Sequence, residues 1–232
     1  MSRSSTAAHF SPELFRFLRG LRRNNERVWF ERNKDRYVEH VRDPLLRFIE
    51  DFAPRLRRIS RRFVADARPN GGSMFRIYRD VRFSKDKSPY KTAAAVHFRH
   101  ELGRDVHAPG FYLHLAPGEV FAGAGIWHPD SATATKIRHR IVEKSSMWKR
   151  TVGSDAFDGL LRLDGDALKR PPRGFDPEHP LLEDLKRKDF IVVSHFDEEA
   201  ACDPDFIDVF EDVCRASGPF VRFLTRAVEV EW

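Results

Sequence analysis

The sequence predicts an α+β protein: N-terminal helices packed on a central antiparallel sheet, with further helices in the C-terminal half. Three observations carry that prediction. Apolar residues recur at spacings of three and four between Leu14 and Ile59, the period of a helix with one buried face. Phe111-Tyr112-Leu113-His114-Leu115 alternates, then meets a second strand-like run, Val120 to Trp127, across Pro117-Gly118. Such a pair reads as a hairpin. Helical signals return at Pro129-Asp130-Ser131 and again after Asp203-Pro204, where an acid precedes or follows a proline at a helix start.

In chain order, Ser11-Pro12-Glu13 supplies a hydroxyl, a proline and an acid for the first helical turn. Leu14, Phe17 or Leu18, and Leu21 form its apolar stripe, and Asn24-Asn25 should turn the chain. A second helix is expected from Glu26, with Trp29, Phe30, Asn33, Tyr37 and Val41 on one side. Asp43-Pro44 should cap a third, carrying Leu45, Phe48, Ile49, Phe52, Leu56 and Ile59, and Pro54 should kink or end it. Asn70-Gly71-Gly72 turns into the central stretch, and a strand is expected over Thr92 to Arg99. After the hairpin comes a helix through Ile137 and Ile141. Leu161 to Lys169, centred on Asp164-Gly165-Asp166, resembles a small hairpin, and Glu178 to Lys186 a short helix. Phe190-Ile191-Val192-Val193 suits a buried strand. Phe206, Val209, Phe210 and Val213 form the face of the last helical region, which Gly218-Pro219 breaks. Residues 1–9 are expected to form a flexible tail and residues 10–232 one domain.

The stretch Arg76 to Thr92, RIYRDVRFSKDKSPYKT, organises the functional reading. Six basic side chains stand against Asp80 and Asp86, a balance of +4. As an extended strand it would put Ile77, Arg79, Val81 and Phe83 on one face and Arg76, Tyr78, Asp80 and Arg82 on the other. Ser84 to Pro89 then reads as a turn. Arginine offers a planar fork to phosphate or carboxylate and keeps its charge at any working pH. The candidate ligand-binding set is therefore Arg76, Arg79, Asp80, Arg82, Lys87, Tyr90 and Lys91, joined by His114 and Trp127 from the hairpin. Gly123 and Gly125, two residues apart on one strand face, would clear space nearby. A competing reading has Asp80, Asp86 and tail acids neutralising the bases in an internal network, at a desolvation cost.

Arg76-x-x-Arg79-Asp80-x-Arg82-Phe83 followed by Asp86-Lys87-x-x-Tyr90-Lys91-Thr92 resembles the signature of the family called domain of unknown function 2461. So do Asn24-Asn25 with Trp29-Phe30, and Gly123-Ala124-Gly125-Ile126-Trp127-x-Pro129. The resemblance runs from about Phe10 into the C-terminal region. It implies bacterial kinship, a shared fold and a shared pocket, and it brings no activity or cofactor with it.

Composition narrows the classes. With 41% hydrophobic and 33% charged residues, the chain reads as a globular protein, and no apolar run reaches membrane-span length. Met1 to His9 lacks a signal-peptide core, so the expected setting is the cytoplasm, with no membrane partner. Residues 1–68 hold 17 basic and 9 acidic side chains, and residues 196–232 hold 3 and 10. An acidic end facing a basic start weakens a nucleic-acid reading, although Arg55, Arg57, Arg58, Arg61 and Arg62, with Tyr78 and Tyr90 as stacking platforms, keep it as the alternative. A third possibility is docking of an acidic protein partner.

Cys202 and Cys214 lack metal-site spacing and, on one helix, would stand too far apart to bridge. His97, His114 and His128 lie on or near the predicted sheet, but none has the helical spacing of a zinc site, so no metal is expected. His114 alone suits acid–base work by its ordinary pKa. No Gly-x-Ser-x-Gly elbow is present, and Ser84 sits in a turn where serine bonds its own backbone. The expected partner is an anionic small molecule.

Overall fold

The computed structural model describes residues 7–103, 108–157 and 159–232. Helix α1 (Pro12–Arg23) starts at the proline, as its fixed φ and missing N–H allow. It buries Leu14, Phe15, Phe17, Leu18 and Leu21. The next two predicted helices form one nearly continuous rod: α2 (Arg27–Arg32), α3 (Lys34–Tyr37), a π-helical turn Val38–Arg42, and α4 (Asp43–Ile59). Asp43 does not break the chain as a cap. Its N–H reaches back to the Val38 carbonyl, and this wider turn relieves the clash Pro44 would cause in a regular helix. Pro54 likewise stays inside α4. It lies on the exposed side with Glu50, so the carbonyl it deprives of a partner can bond water.

Strands β1 (Ala94–Arg99), β2 (Gly110–Ala116) and β3 (Glu119–Ile126) form a meander. Pro117-Gly118 makes the two-residue turn between β2 and β3, with Gly118 at φ +79, a conformation that glycine adopts at little cost. Helices α5 (Ser131–Glu143) and α6 (Ser145–Val152) follow. Then come β4 (Arg162–Asp164), α7 (Leu182–Leu185), β5 (Phe190–Phe196), α8 (Glu198–Ala201), α9 (Phe206–Ala216) and α10 (Gly218–Ala227). The sheet order is β1-β2-β3-β5-β4, with every pairing antiparallel.

Alternation sorts the sheet into two faces. Val96, Phe98, Phe111, Leu113, Leu115, Val120, Ala122 and Val192 point into the core. Helices α1, α9 and α10 touch the strands and contribute to the same buried cluster. The opposite face carries His97, Arg99, Tyr112, His114, Phe121 and His195, all half-buried or exposed.

Several expectations change. Leu161 to Lys169 is not a local hairpin: β4 pairs with β5, and Ala167 bridges Arg187. The β5 run offers a longer, more apolar partner than a three-residue return could. Val209 is 38% exposed and stands outside the α9 core face. Cys202 and Cys214 sit on different helical segments and are both free thiols. Of the expected N-terminal tail, residues 1–6 lie outside the described residues, while His9 is buried and bonds Asp51 at 2.9 Å.

Candidate functional site

The Arg76 to Thr92 stretch is not a regular strand. It is an extended excursion hung on the free edge of β1 by an antiparallel bridge from Met74 to Val96 and closed on itself by a second, from Tyr78 to Tyr90. The paired residue numbers sum to 170 at the first bridge and 168 at the second. That offset of two interrupts the ladder between the bridges, as a bulge does. Four backbone bonds nevertheless hold it: Phe75 to Ala95, His97 to Ser73, Arg79 to Pro89 and Lys91 to Ile77. Ile77 is buried as its predicted face requires, but Phe83 is 95% exposed at the tip. Strand alternation fails there because the ladder has already ended.

The two aspartates are consumed locally. Asp80 accepts from Arg82 at 2.6 and 2.9 Å, and this pairing holds its carboxyl below the usual range. Asp86 binds Arg79, the Ser88 hydroxyl and the Ser88 N–H, and its pKa is lowered chiefly by Ser88 and then by Arg79. Lys87 donates to the Val81 carbonyl at 3.0 Å. These contacts shape the loop tip. Tyr90 is a core residue, 2% exposed, stacked on Phe30 with centroids 4.2 Å apart. Its backbone is gripped by Asn25, whose amide nitrogen donates to the Tyr90 carbonyl and whose oxygen accepts from the Tyr90 N–H, both at 3.0 Å. The Asn24-Asn25 corner after α1 thus anchors the motif.

Lys91 and Arg76 are placed differently. Lys91 Nζ lies 4.9 Å from the centroid of the Phe75 ring, and the Arg99 guanidinium lies 5.7 Å from it. Burial, and then Arg76, pushes the Lys91 pKa down. Among the described residues, Lys91 and Arg99 form no ion pair, and Arg76 acts on Asp80 only through longer-range attraction. Around Phe75 the open sheet face continues as a chain of rings. Phe75 stacks on His97 at 6.3 Å and meets Tyr112 edge-on at 6.1 Å. The Tyr112 hydroxyl bonds His114 Nδ1 at 3.0 Å, and His114 stacks on Phe121 at 4.8 Å. Phe121 leads to His195, whose Nε2 faces an Arg162 nitrogen at 2.7 Å.

Burial sets the protonation of these groups. The His97 pKa falls to about 4, from desolvation first and Arg99 second. His114 is also lowered by burial, and Tyr112 is raised to about 12 by burial and then Glu119. At neutral pH the face therefore presents neutral imidazoles and a neutral phenol beside three cations.

The predicted residues divide accordingly. Arg76 and Lys91 meet the open face, and His114 belongs to the same face through Tyr112. Arg79, Asp80, Arg82 and Lys87 form the loop tip, and Tyr90 lies beneath it. Trp127 is at the far end of the sheet. Its strand end aligns with Gly110 and Arg99, whereas the motif extends beyond Ala94 and Leu115. Gly123 and Gly125 do not open a ligand space. A Cβ on Gly125 would lie 2.1 Å from the Phe190 carbonyl, so that glycine admits the β5 backbone. Phe75, Arg99, Tyr112 and Phe121 were not singled out from the sequence. Period-two alternation put Arg99, Tyr112 and Phe121 opposite the apolar positions, but it did not reveal that they stay half-buried or exposed.

A separate cavity of about 360 Å³ opens among α4, α6, α9 and α10, with Arg58, Arg215, Arg222, Arg226 and Trp232 in its wall. Arg58 and Arg215 are committed to Glu211. No acid, histidine or nucleophilic thiol lines it. Among the described residues, no group of three or more His, Cys, Asp or Glu is arranged to hold a metal ion, and no helix is long and apolar enough to cross a membrane.

A family model described as "Conserved hypothetical protein (DUF2461)" matches residues 13–223. Comparisons with curated proteins and with solved structures found no match.

Proposed function

Because the chain belongs to the DUF2461 family of conserved hypothetical proteins, whose description names no activity, we propose that it binds a phosphorylated or carboxylated small molecule on the open sheet face. Arg76, Lys91 and Arg99 supply the charge there. The observation that carries this reading is the placement of Lys91 and Arg99 over one half-buried ring, Phe75, with Arg76 close enough to lower the Lys91 pKa, and no ion pair among the described residues to neutralise Lys91 or Arg99. Like charges held together in partly desolvated surroundings are costly unless an anion joins them. Tyr112 and His114, both neutral at pH 7, are the polar groups beside the charge, able to donate or accept a hydrogen bond from a bound hydroxyl. Arg82, exposed and paired with the exposed Asp80, can exchange that partner for a phosphate oxygen.

The nucleic-acid alternative has less support. Its basic run is largely spoken for: Arg55 pairs with Asp208 and Glu211, Arg58 with Glu211, and Arg62 with Glu101 and Glu231. The test is calorimetric titration with inorganic pyrophosphate and with citrate, on the parent and on Lys91→Ala, Arg99→Ala and the double variant. A lost charge-assisted hydrogen bond is worth about 1.5–3 kcal/mol, so each single variant should weaken the preferred anion by roughly tenfold or more. Equal affinity in the parent and the folded double variant would remove the site. Binding that collapses with salt as steeply as multi-phosphate contact does would favour nucleic acid instead.

A further inference from the structure

At the far end of the sheet, Trp127 and His128 follow β3, outside the site proposed above. The Asp189 carboxylate, whose side chain is 2% exposed, accepts three hydrogen bonds: from His128 N–H at 2.8 Å, His128 Nδ1 at 2.7 Å and Asp166 N–H at 2.9 Å. Those bonds hold its pKa down against the opposing effect of burial, so it is an ionised acceptor. An ionised carboxylate can only accept, hence Nδ1 of His128 carries a proton and Nε2 is the ring nitrogen left to face a ligand. The His128 side chain is 57% exposed. Trp127, 68% exposed, stacks on that imidazole with centroids 4.0 Å apart.

The local backbone is built around this pair. His128 has φ +50, a left-handed conformation uncommon for a residue with a side chain. Gly165, at φ +96, leaves the space that the carboxylate fills: a Cβ there would lie 2.4 Å from Asp189 Cβ. Tying two loops together would need only the backbone bonds to Asp189. The third bond orients an imidazole whose other nitrogen is left without a protein partner among the described residues. Strained backbone held by its surroundings is characteristic of functional sites. A carboxylate behind a histidine is the arrangement that fixes a proton-accepting nitrogen.

We propose that Trp127 and His128 form a second ligand site for a ring-bearing, hydroxylated molecule, with the indole as stacking platform, His128 Nε2 as hydrogen-bond acceptor and Asp189 as the residue that positions it. The shared chemistry, a flat or sugar ring beside a hydroxyl, occurs in nucleosides and in free sugars. The ligand hydroxyl donates a hydrogen bond to Nε2, while the Nδ1 proton stays on its bond to Asp189. The charges near the pair are Asp189 just before β5, Asp166 in the loop after β4, and Lys188, which lies 3.7 Å from Asp166.

The test is heteronuclear NMR of the full chain at pH 7, titrated with adenosine in one arm and methyl β-glucoside in the other. One arm should shift the Trp127 indole N–H and the His128 ring together, and the responding arm identifies the source. Trp127→Ala should weaken that probe about tenfold, the usual worth of one stacked ring. His128→Gln, at an exposed side chain, should leave the fold intact and abolish the pH dependence of binding. Asp189→Asn, whose amide can donate as well as accept, should raise the share of the Nε2–H tautomer of His128, read from its ring nitrogen shifts, an effect that a purely structural tie would not predict. Neither probe moving both rings at up to about 20 mM, a range that captures millimolar binding, would overturn the proposal. So would unchanged pH dependence in His128→Gln. Failure here leaves the Phe75 site untouched, because the two share no residue.

Discussion

Replacing Asn25 with alanine should uncouple the basic motif from the helices beneath it. Asn25 acts as a substitute strand, giving Tyr90 one acceptor and one donor at 3.0 Å each. Tyr90 is 2% exposed and pinned against Phe30, so its backbone groups have poor access to water once the amide is gone. Two neutral hydrogen bonds contribute about 1 kcal/mol each, and an unsatisfied buried group costs about 1–3 kcal/mol more. Asn25 itself is only half-buried, so water entering the gap recovers part of this. The expected loss is about 2–4 kcal/mol. At this chain length each kcal/mol lowers Tm by about 2–4 °C. Urea denaturation followed by circular dichroism measures it, with Asn24→Ala as control. Asn24 makes a single exposed bond to the Gly20 carbonyl, so its loss should stay near or below about 1 kcal/mol. Asn25→Asp adds a signed check. A carboxylate facing the Tyr90 carbonyl loses the donor and is repelled, so its folded pKa should rise above the unfolded value, and stability should recover as pH falls through that raised pKa. Because Lys91 follows Tyr90 directly, pyrophosphate affinity should fall in the same variants. An Asn25→Ala loss below about 0.5 kcal/mol, or one equal to that of Asn24→Ala, would refute the anchoring argument.

Two further outcomes follow from the sheet. Gly125→Ala should destabilise by about 3 kcal/mol or more, since its Cβ would meet the Phe190 carbonyl at 2.1 Å and its φ is +126. Gly123→Ala, with its nearest contact at 3.5 Å, should cost less than about 1 kcal/mol; similar losses at both sites, measured by thermal melts, would contradict the packing described for β5. His97 sits over Gly110, where a Cβ would come within 2.3 Å of Nε2, and its folded pKa of about 4 is below its ordinary 6.5. The unfolded chain therefore binds the proton first, so the stability His97 contributes is present above pH 6.5 and lost as pH falls through 4. An NMR midpoint for His97 near 6.5 would show the ring to be solvated.

Much of the architecture was legible in local pattern. The α1 stripe of Leu14, Phe17, Leu18 and Leu21, the Pro117-Gly118 hairpin and the β-branched run at 190–193 each depend on a period that the sequence itself displays. Helix periodicity also survived Pro44 and Pro54, because a π turn and a solvent-facing carbonyl absorb what a proline removes. The motif was legible as a concentration of charge, but its conformation was not. Whether Arg76 to Phe83 is a strand depends on its partner, and the register slip between the bridges at Val96 and Tyr90 cannot be read from alternation within one segment.

The division of charges was likewise settled only in three dimensions. Arg79 and Arg82 find aspartates within seven residues, and Arg55 finds Asp208 and Glu211 from more than 150 residues away. Lys91 and Arg99, identical in charge, form no ion pair among the described residues. Trp127 and His128 looked like the end of a strand until Asp189, 61 residues on, closed against them. The sequence alone determined which residues are apolar on one side of a strand or helix, since that is a property of spacing. Which side is covered, which charge is neutralised and which ring faces water are long-range contacts, and only the folded chain brings those partners within hydrogen-bonding distance.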